Sequence, residues 1–394
     1  MALTTVSSDR LSTNVKNTNF TAAEKQDLTN DILPLSGQIG NRNKIINGEF
    51  RVNQRQHTGS AGHNAYTLDR WKYARSANTE FSQDQSTVTP DGFANSVKMT
   101  SIGSNGSTGA SDYAYWRYFI EGQDLQDLSK GTSAAKAFTL SFYFKSDVTG
   151  TFAISILDAN SRMCNANYTV SNTNWNRYTI TIPADTTGTI ANSNASGLEI
   201  NFWLVAGSNY TSGSAVHTWG AYSASSLATG FNAHITSNSV NLYLTGVQLE
   251  VGSVATEFEH EPFGTTLRKC LRYFFAHSGG NPGVNGSTPN TNPDTNVGTA
   301  SCQSTSSISY NTFLPVPMRV VPSVYSTVTG STRYRLNSAG ANTNSGSDIT
   351  INTVLSTHSM ASGDLGGFSG LSAGQAGNVR RYSGSGILGF SAEL

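Results

Sequence analysis

Between Ile45 and about His260, apolar and polar residues alternate with period two in one run after another, the pattern of strands that turn one face to a core. Phe138, Leu140, Phe142 and Phe144 share a face in one run. Phe152, Ile154 and Ile156 do so in the next, then Tyr178, Ile180 and Ile182, then Leu198, Ile200, Phe202 and Leu204. Leu242 and Leu244 repeat the pattern before Gly246. Turn-forming stretches such as residues 147–150 and 183–188 separate the runs, so antiparallel neighbours and a two-sheet sandwich are expected.

At Phe263 the period changes. Phe263, Leu267, Cys270, Leu271 and Phe274 fall on one helical stripe, which predicts a short amphipathic helix linking two domains. Residues 277–300 are rich in Gly, Asn and Pro and read as a surface loop. Beyond them, strand candidates lie near 305–313, 322–328, 333–336 and 387–391, interrupted by a Gly/Ser-rich stretch at 359–377. So sparse a core suggests that chains share theirs, and a parallel homotrimer is the expected arrangement. At the other end, residues 1–40 are polar, with one helix candidate at 21–28 where Thr21 and Glu24 make a capping-box pattern. They carry too little apolar surface to fold alone and read as an arm that docks on a partner, or as a disordered leader. The expected division is an arm (1–40), a sandwich (41–262), and a linker helix with a smaller β-rich domain (263–394).

Composition agrees with a mainly β chain. Only 13% of the 394 residues are charged, 10% are aromatic, and 38 are Gly, which suits strands joined by polar turns and disfavours long surface helices. The 25 basic side chains balance the 25 acidic ones, and no basic run could neutralise a row of phosphates, so nucleic-acid binding has little support. No basic stretch leads into an apolar one at the start, and no run has the length of a bilayer span, so neither a signal peptide nor membrane insertion is expected. Cys164, Cys270 and Cys302 match no zinc or redox spacing and read as buried thiols of a chain made in a reducing cytoplasm.

Three sets of residues resemble the jelly-roll-bearing tail-fibre and virion structural proteins of tailed bacteriophages. They are Asn43-Lys44-Ile45-Ile46-Asn47-Gly48-Glu49-Phe50 with Tyr66-Thr67-Leu68-Asp69-Arg70-Trp71, the closing Leu244-Thr245-Gly246-Val247-Gln248-Leu249-Glu250, and the junction Phe258-Glu259-His260-Glu261-Pro262-Phe263. Pro315-Val316-Pro317-Met318-Arg319 and the terminal Gly389-Phe390-Ser391-Ala392-Glu393-Leu394 resemble the trimeric head of the same proteins. The resemblance implies a carbohydrate-module-like jelly roll and a β-rich trimeric C-terminal domain. It also implies a virion appendage, made in the host bacterial cytoplasm, that meets a host-surface polysaccharide or receptor while residues 1–40 hold other tail or head proteins. A capsid-mounted fibre or a tail adaptor without receptor binding is the alternative. Modules of this kind often hold a structural calcium near the first and last strands, where Glu49 and Glu250 lie; no other cofactor is implied.

Sugar binding without catalysis needs aromatic faces for pyranose rings and a few polar groups for hydroxyls. Trp203 and Tyr143 lie on the face opposite the apolar stripe of their strands. With Tyr115 and Trp219 they are the candidate ligand-binding residues, second-face packing or a subunit interface being the competing reading. Trp71 reads as core, and the adjacent Asp69 and Arg70 as a buried ion pair or turn cap. Glu257, Glu259, His260 and Glu261 form the one dense acid/His cluster, read as a polar domain junction. No metalloprotease motif, nucleophile elbow, phosphate loop or solenoid repeat accompanies them. No catalytic residue is assigned, and the chain reads as non-enzymatic, a polysaccharide-degrading tailspike being the remaining rival.

Overall fold

A computed structural model describes residues 41–103, 108–214, 217–233, 235, 237–278, 295–328, 333–338, 341–345, 356–381 and 387–394. The expected N-terminal arm and most of the 277–300 loop lie outside the described residues. The fold is mainly β and antiparallel, and residues 44–394 form one compact unit.

The first strands are β1 (Ala65–Tyr66), β2 (Trp71–Arg75), β3 (Glu80–Ser86), β4 (Ser96–Gly103), β5 (Tyr113–Glu121) and β6 (Phe138–Ser146). They are followed by β7 (Gly150–Asp158), β8 (Arg162–Val170), β9 (Asn176–Ile182), β10 (Ser196–Ala206), β11 (Gly220–Ala221) and β12 (Asn241–Val251). They make two sheets: a seven-stranded one in the order β1-β2-β5-β10-β7-β8-β11 and a five-stranded one in the order β3-β4-β12-β6-β9. This is the expected jelly-roll sandwich. The alternating residues read from the sequence meet between the sheets, with Phe138, Leu140, Phe142 and Phe144 from β6 facing Ile154, Ile156, Ile200 and Phe202 from β7 and β10 in one core. Trp71 is fully buried among Phe50, Trp116 and Tyr118 at ring-centroid distances of 4.9 to 5.5 Å.

The opening and closing motifs come together. Lys44 N donates to Leu249 O and Val247 N to Gly48 O, at 2.8 and 3.0 Å. A Cβ on Gly48 would stand 2.1 Å from the Val247 carbonyl oxygen, so only glycine allows this approach. Asn47 ties the opening turn to β2: its side chain donates to Val52 O and Asp69 O and accepts from Val52 N.

The predicted linker helix is α1 (Phe263–Leu271), with Thr266 and Cys270 as its buried positions. It ends before Phe274, which the stripe had included. Phe274 instead opens β13 (Phe274–Ser278), because the chain turns after Arg272 to pair with the C-terminal strand. The remaining strands are β14 (Thr295–Cys302), β15 (Ile308–Phe313), β16 (Ser323–Ser326), β17 (Tyr334–Ser338), β18 (Ala341–Ser345), β19 (Met360–Leu365), β20 (Ala376–Arg381) and β21 (Leu388–Ser391). They form a three-stranded sheet, β13-β21-β16, and a six-stranded sheet, β18-β17-β20-β14-β15-β19. The Gly/Ser-rich stretch read as an interruption contains β19 and the start of β20. Backbone pairing to β15 and β14 makes these strands despite their few apolar side chains. The core beneath includes Val297, Ile308, Tyr310, Tyr334, Leu336 and Leu388.

A buried polar seam joins the sandwich to the three-stranded sheet. Gln54 donates from its backbone and side chain to the two oxygens of Asp69, both at 2.6 Å, and from Nε2 to Phe274 O. Glu121 accepts both Nε and Nη2 of Arg272 at 2.9 Å and the Tyr273 hydroxyl at 2.5 Å. Asp69 and Arg70 therefore do not pair with each other: Asp69 caps the turn at Gln54, and Arg70 pairs with Glu393.

Candidate functional site

The outward positions of β5 are Tyr113, Tyr115, Arg117 and Phe119, because Ala114, Trp116, Tyr118 and Ile120 are taken by the core. In register beside them, β10 presents Glu199 opposite Phe119, Asn201 opposite Arg117 and Trp203 opposite Tyr115. Strand alternation thus places an aromatic pair at one end of the outer face and a polar pair next to it.

Part of this face is roofed. The segment between β10 and β12 folds back through a short helical turn (Ser208–Thr211), so that Leu227 and Ala228 pack on Ala153, Met163 and Trp203 in a small second core. The roof leaves a recess of about 230 Å³ beside β5, smaller than the roughly 300 to 1,000 Å³ of a drug-sized ligand site. Its aromatic wall is continuous. Tyr113 stacks on Tyr115 (5.5 Å, 23°), Tyr115 meets Trp203 (4.9 Å), and Tyr210 closes on both Trp203 (5.3 Å) and Tyr113 (5.6 Å).

The polar wall is a hydrogen-bonded set. Arg117 Nε lies 2.9 Å from Glu199 Oε1 and donates to Asn201 Oδ1 at 3.2 Å, while Nη2 donates to the Tyr115 hydroxyl at 2.5 Å. Asn201 Nδ2 donates to Glu199 Oε1 at 2.8 Å. Burial pushes the Tyr115 phenol up to about 12 against the opposing effect of Arg117, so it stays protonated at neutral pH. Fixed aromatic faces beside prearranged donors and acceptors can hold a small, flat, hydroxyl-rich ligand. Among the described residues lining the recess, Glu199 is the one carboxylate, whereas glycoside hydrolysis by the usual route needs two.

Of the four sequence candidates, the structure brings Tyr115 and Trp203 together here. Trp203 is 1% exposed and donates Nε1 to Ser155 Oγ at 3.0 Å, so it forms the floor more than a free platform. Tyr143 does not join them. It lies on β6 in the five-stranded sheet, against Phe93 at 5.1 Å, because outward positions of the two sheets point in opposite directions. Trp219 is also elsewhere, donating to Pro183 O and covering the ammonium of Lys130 at 4.5 Å. The sequence reading did not single out Arg117, Glu199 or Asn201. The signal was present as the polar half of the same alternation that gave the core face of β5 and β10.

The candidate calcium residues do not fit a cation. Glu250 accepts from Thr256 N and Thr256 Oγ1 at 2.8 Å and from Gln248 Nε2 at 2.9 Å. Glu49 faces Arg51 at 3.2 Å and His260 at 3.4 Å. Donors and cations already stand where a hard cation would need six to eight oxygens. No cluster of three or more His, Cys, Asp or Glu able to hold a metal occurs among the described residues. The acid/His run does not converge either: Glu257 meets Arg177, His260 meets Glu49, and Glu261 meets Lys269.

No family model matches the chain, and no curated protein matches it. Among solved structures it is similar to the enzymatically active domain of tailspike protein 4 of bacteriophage CBA120, at 12% identity and a TM-score of 0.29. That match covers 53% of this chain and 21% of the tailspike chain, so about a fifth of the latter's length is spanned. It is also similar to a family 11 carbohydrate-binding module from Clostridium thermocellum in complex with a β-1,3-1,4-mixed-linked tetrasaccharide (11% identity, 52% of this chain and 98% of that one, TM-score 0.27). A family 61 module in complex with β-1,4-galactotriose gives 8% identity, 53% and 99% coverage, and a TM-score of 0.27. The likeness is one of β fold alone.

Proposed function

We propose that this chain is a non-enzymatic glycan-binding protein whose sugar site is the recess on the outer face of the seven-stranded sheet. The observation that carries the reading is the junction of the Tyr113–Tyr115–Trp203–Tyr210 wall with the Arg117–Glu199–Asn201 set. One wall offers ring faces for stacking, the other directed hydrogen bonds. Binding through so small a recess would be weak per site. A homotrimer, as the motif resemblance implies, would raise it by avidity.

The same resemblance supports a place in a bacteriophage tail appendage that meets host-surface polysaccharide, with residues 1–40 attaching it to the virion. Calorimetric titration of the full chain with bacterial surface oligosaccharides tests the binding. Tyr115→Ala should abolish the heat of binding with the melting temperature little changed; unaltered binding by this variant rejects the recess as the site. Immunogold on particles tests the place, and label on the capsid instead of the tail would favour the capsid-fibre alternative.

A further inference from the structure

Next to the recess, a row of cross-strand neighbours crosses the outer face. Tyr66 on β1 pairs with Lys72 on β2, Lys72 with Arg117 on β5, and Arg117 with Asn201 on β10. Trp71 and Tyr73 are fully buried, so Lys72 between them points to the outer face. Two cations thus stand directly opposite each other on neighbouring strands, an arrangement that costs stability. Glu199 is in contact with only one of them, Arg117, and acts on Lys72 from a distance. Lys72 has aromatic faces instead, with its Nζ 5.2 Å from the Tyr66 ring centroid and 5.6 Å from that of Phe119. Among the described residues, no carboxylate reaches it at ion-pair distance. Burial, and then Arg117, push the Lys72 ammonium below its ordinary value, and the charges of Glu199 and Glu393 offset this only in part. The whole chain has zero net charge, so this surplus of positive charge is local.

We propose that the ligand of this face is an acidic glycan, whose anionic substituent is held between Lys72 and Arg117 while neighbouring sugar rings lie on Tyr115 and Phe119. The two rings flank Arg117 on the same face of β5, with centroids 4.9 and 5.5 Å from its guanidinium carbon, so an anion at Arg117 and sugar rings against Tyr115 and Phe119 can belong to one oligosaccharide. An anion there would relieve the repulsion between the two cations and supply the partner that Lys72 lacks. The inference rests on the glycan-binding reading and adds the substrate class. A carboxylate and an ester sulfate share the required chemistry.

The test is calorimetric titration of the full chain, at low and at high salt, with oligogalacturonate and its methyl ester, and with a sulfated galactan oligosaccharide and its desulfated form. The acidic member of a pair should bind about tenfold tighter than its neutral counterpart, with the advantage shrinking at high salt. Lys72→Gln should remove that advantage and Lys72→Arg should keep it, with melting temperatures confirming that both variants fold. The carboxylated and sulfated pairs identify which anion is read. Equal binding of acidic and neutral sugars, with Lys72→Gln silent, overturns the acidic preference and leaves the recess as a neutral-sugar site. No binding of any of the four to the wild type overturns the preference, and binding of neutral surface sugars in the preceding titration then shows that the glycan reading itself survives.

Discussion

Arg70 Nη1 and Glu393 Oε2 stand 2.6 Å apart across 323 positions of sequence, with the two side chains 1% and 4% exposed. The same carboxylate takes Arg55 at 3.3 Å, and the two guanidinium groups lie over the rings of Tyr273 and Phe274 at 3.5 and 3.7 Å. Arg319 adds hydrogen bonds to the backbone oxygens of Ala392 and Glu393, both at 2.7 Å. The C-terminal strand is thereby bound to the sandwich through charge that is out of water at both ends.

Removing one partner should expose the cost of that burial. Glu393→Gln leaves Arg70 and Arg55 without their anion, and a loss of about 3–5 kcal/mol is expected. Denaturant unfolding measures it. A shift of less than about 1 kcal/mol would mean that water reaches the seam.

The seam should also be acid-sensitive. Burial raises the Glu121 carboxyl, but hydrogen bonds from Arg272 and Tyr273 and the Arg272 charge outweigh it, so the net shift is downward. A carboxylate held low in the folded state contributes stability that is fully present above its unfolded value, about 4.3. That stability is lost as pH falls through the depressed folded value. Melting temperature followed from neutral pH down should fall through this acid range, and Glu121→Gln should be less stable at neutral pH with a flatter acid limb.

Trp203 and Tyr115 should separate stability from binding. Trp203→Ala would open a cavity between Leu227, Ala228 and β7 and lose the bond to Ser155, for an expected cost of about 3–5 kcal/mol. Its binding defect would therefore be confounded by unfolding. Trp203→Phe should cost less, and Tyr115→Ala, at a half-buried rim position, is the cleaner probe. Chemical denaturation run beside titration distinguishes the two effects.

Gly48→Ala tests the meeting of the opening and closing motifs. With the added carbon 2.1 Å from Val247 O, the backbone must part, and about 1–3 kcal/mol of destabilisation is expected. Gly59→Ala is not an equivalent control, since Gly59 has φ +80°; Gly62, where a Cβ meets nothing within 4 Å, is. Thermal melts of Gly48→Ala and Gly62→Ala should differ accordingly.

Local pattern determined much of this protein. Period-two alternation placed the core faces of β6, β7, β10 and β12, the change of period placed α1, and the turn-rich composition set the antiparallel class, because a strand's two faces are fixed by chain geometry alone. Alternation also put Trp203 and Tyr143 on outward faces, yet it could not say that their strands belong to opposite sheets. It likewise could not give Arg70 its partner at Glu393, or show that Glu250 is already satisfied by Thr256 and Gln248. Low apolar content hid β19, whose strand character comes from backbone pairing with β15. Which side chains share a site depends on strand order and on which segment roofs a sheet. Those are set by contacts between residues tens to hundreds of positions apart, and only the tertiary structure decides them.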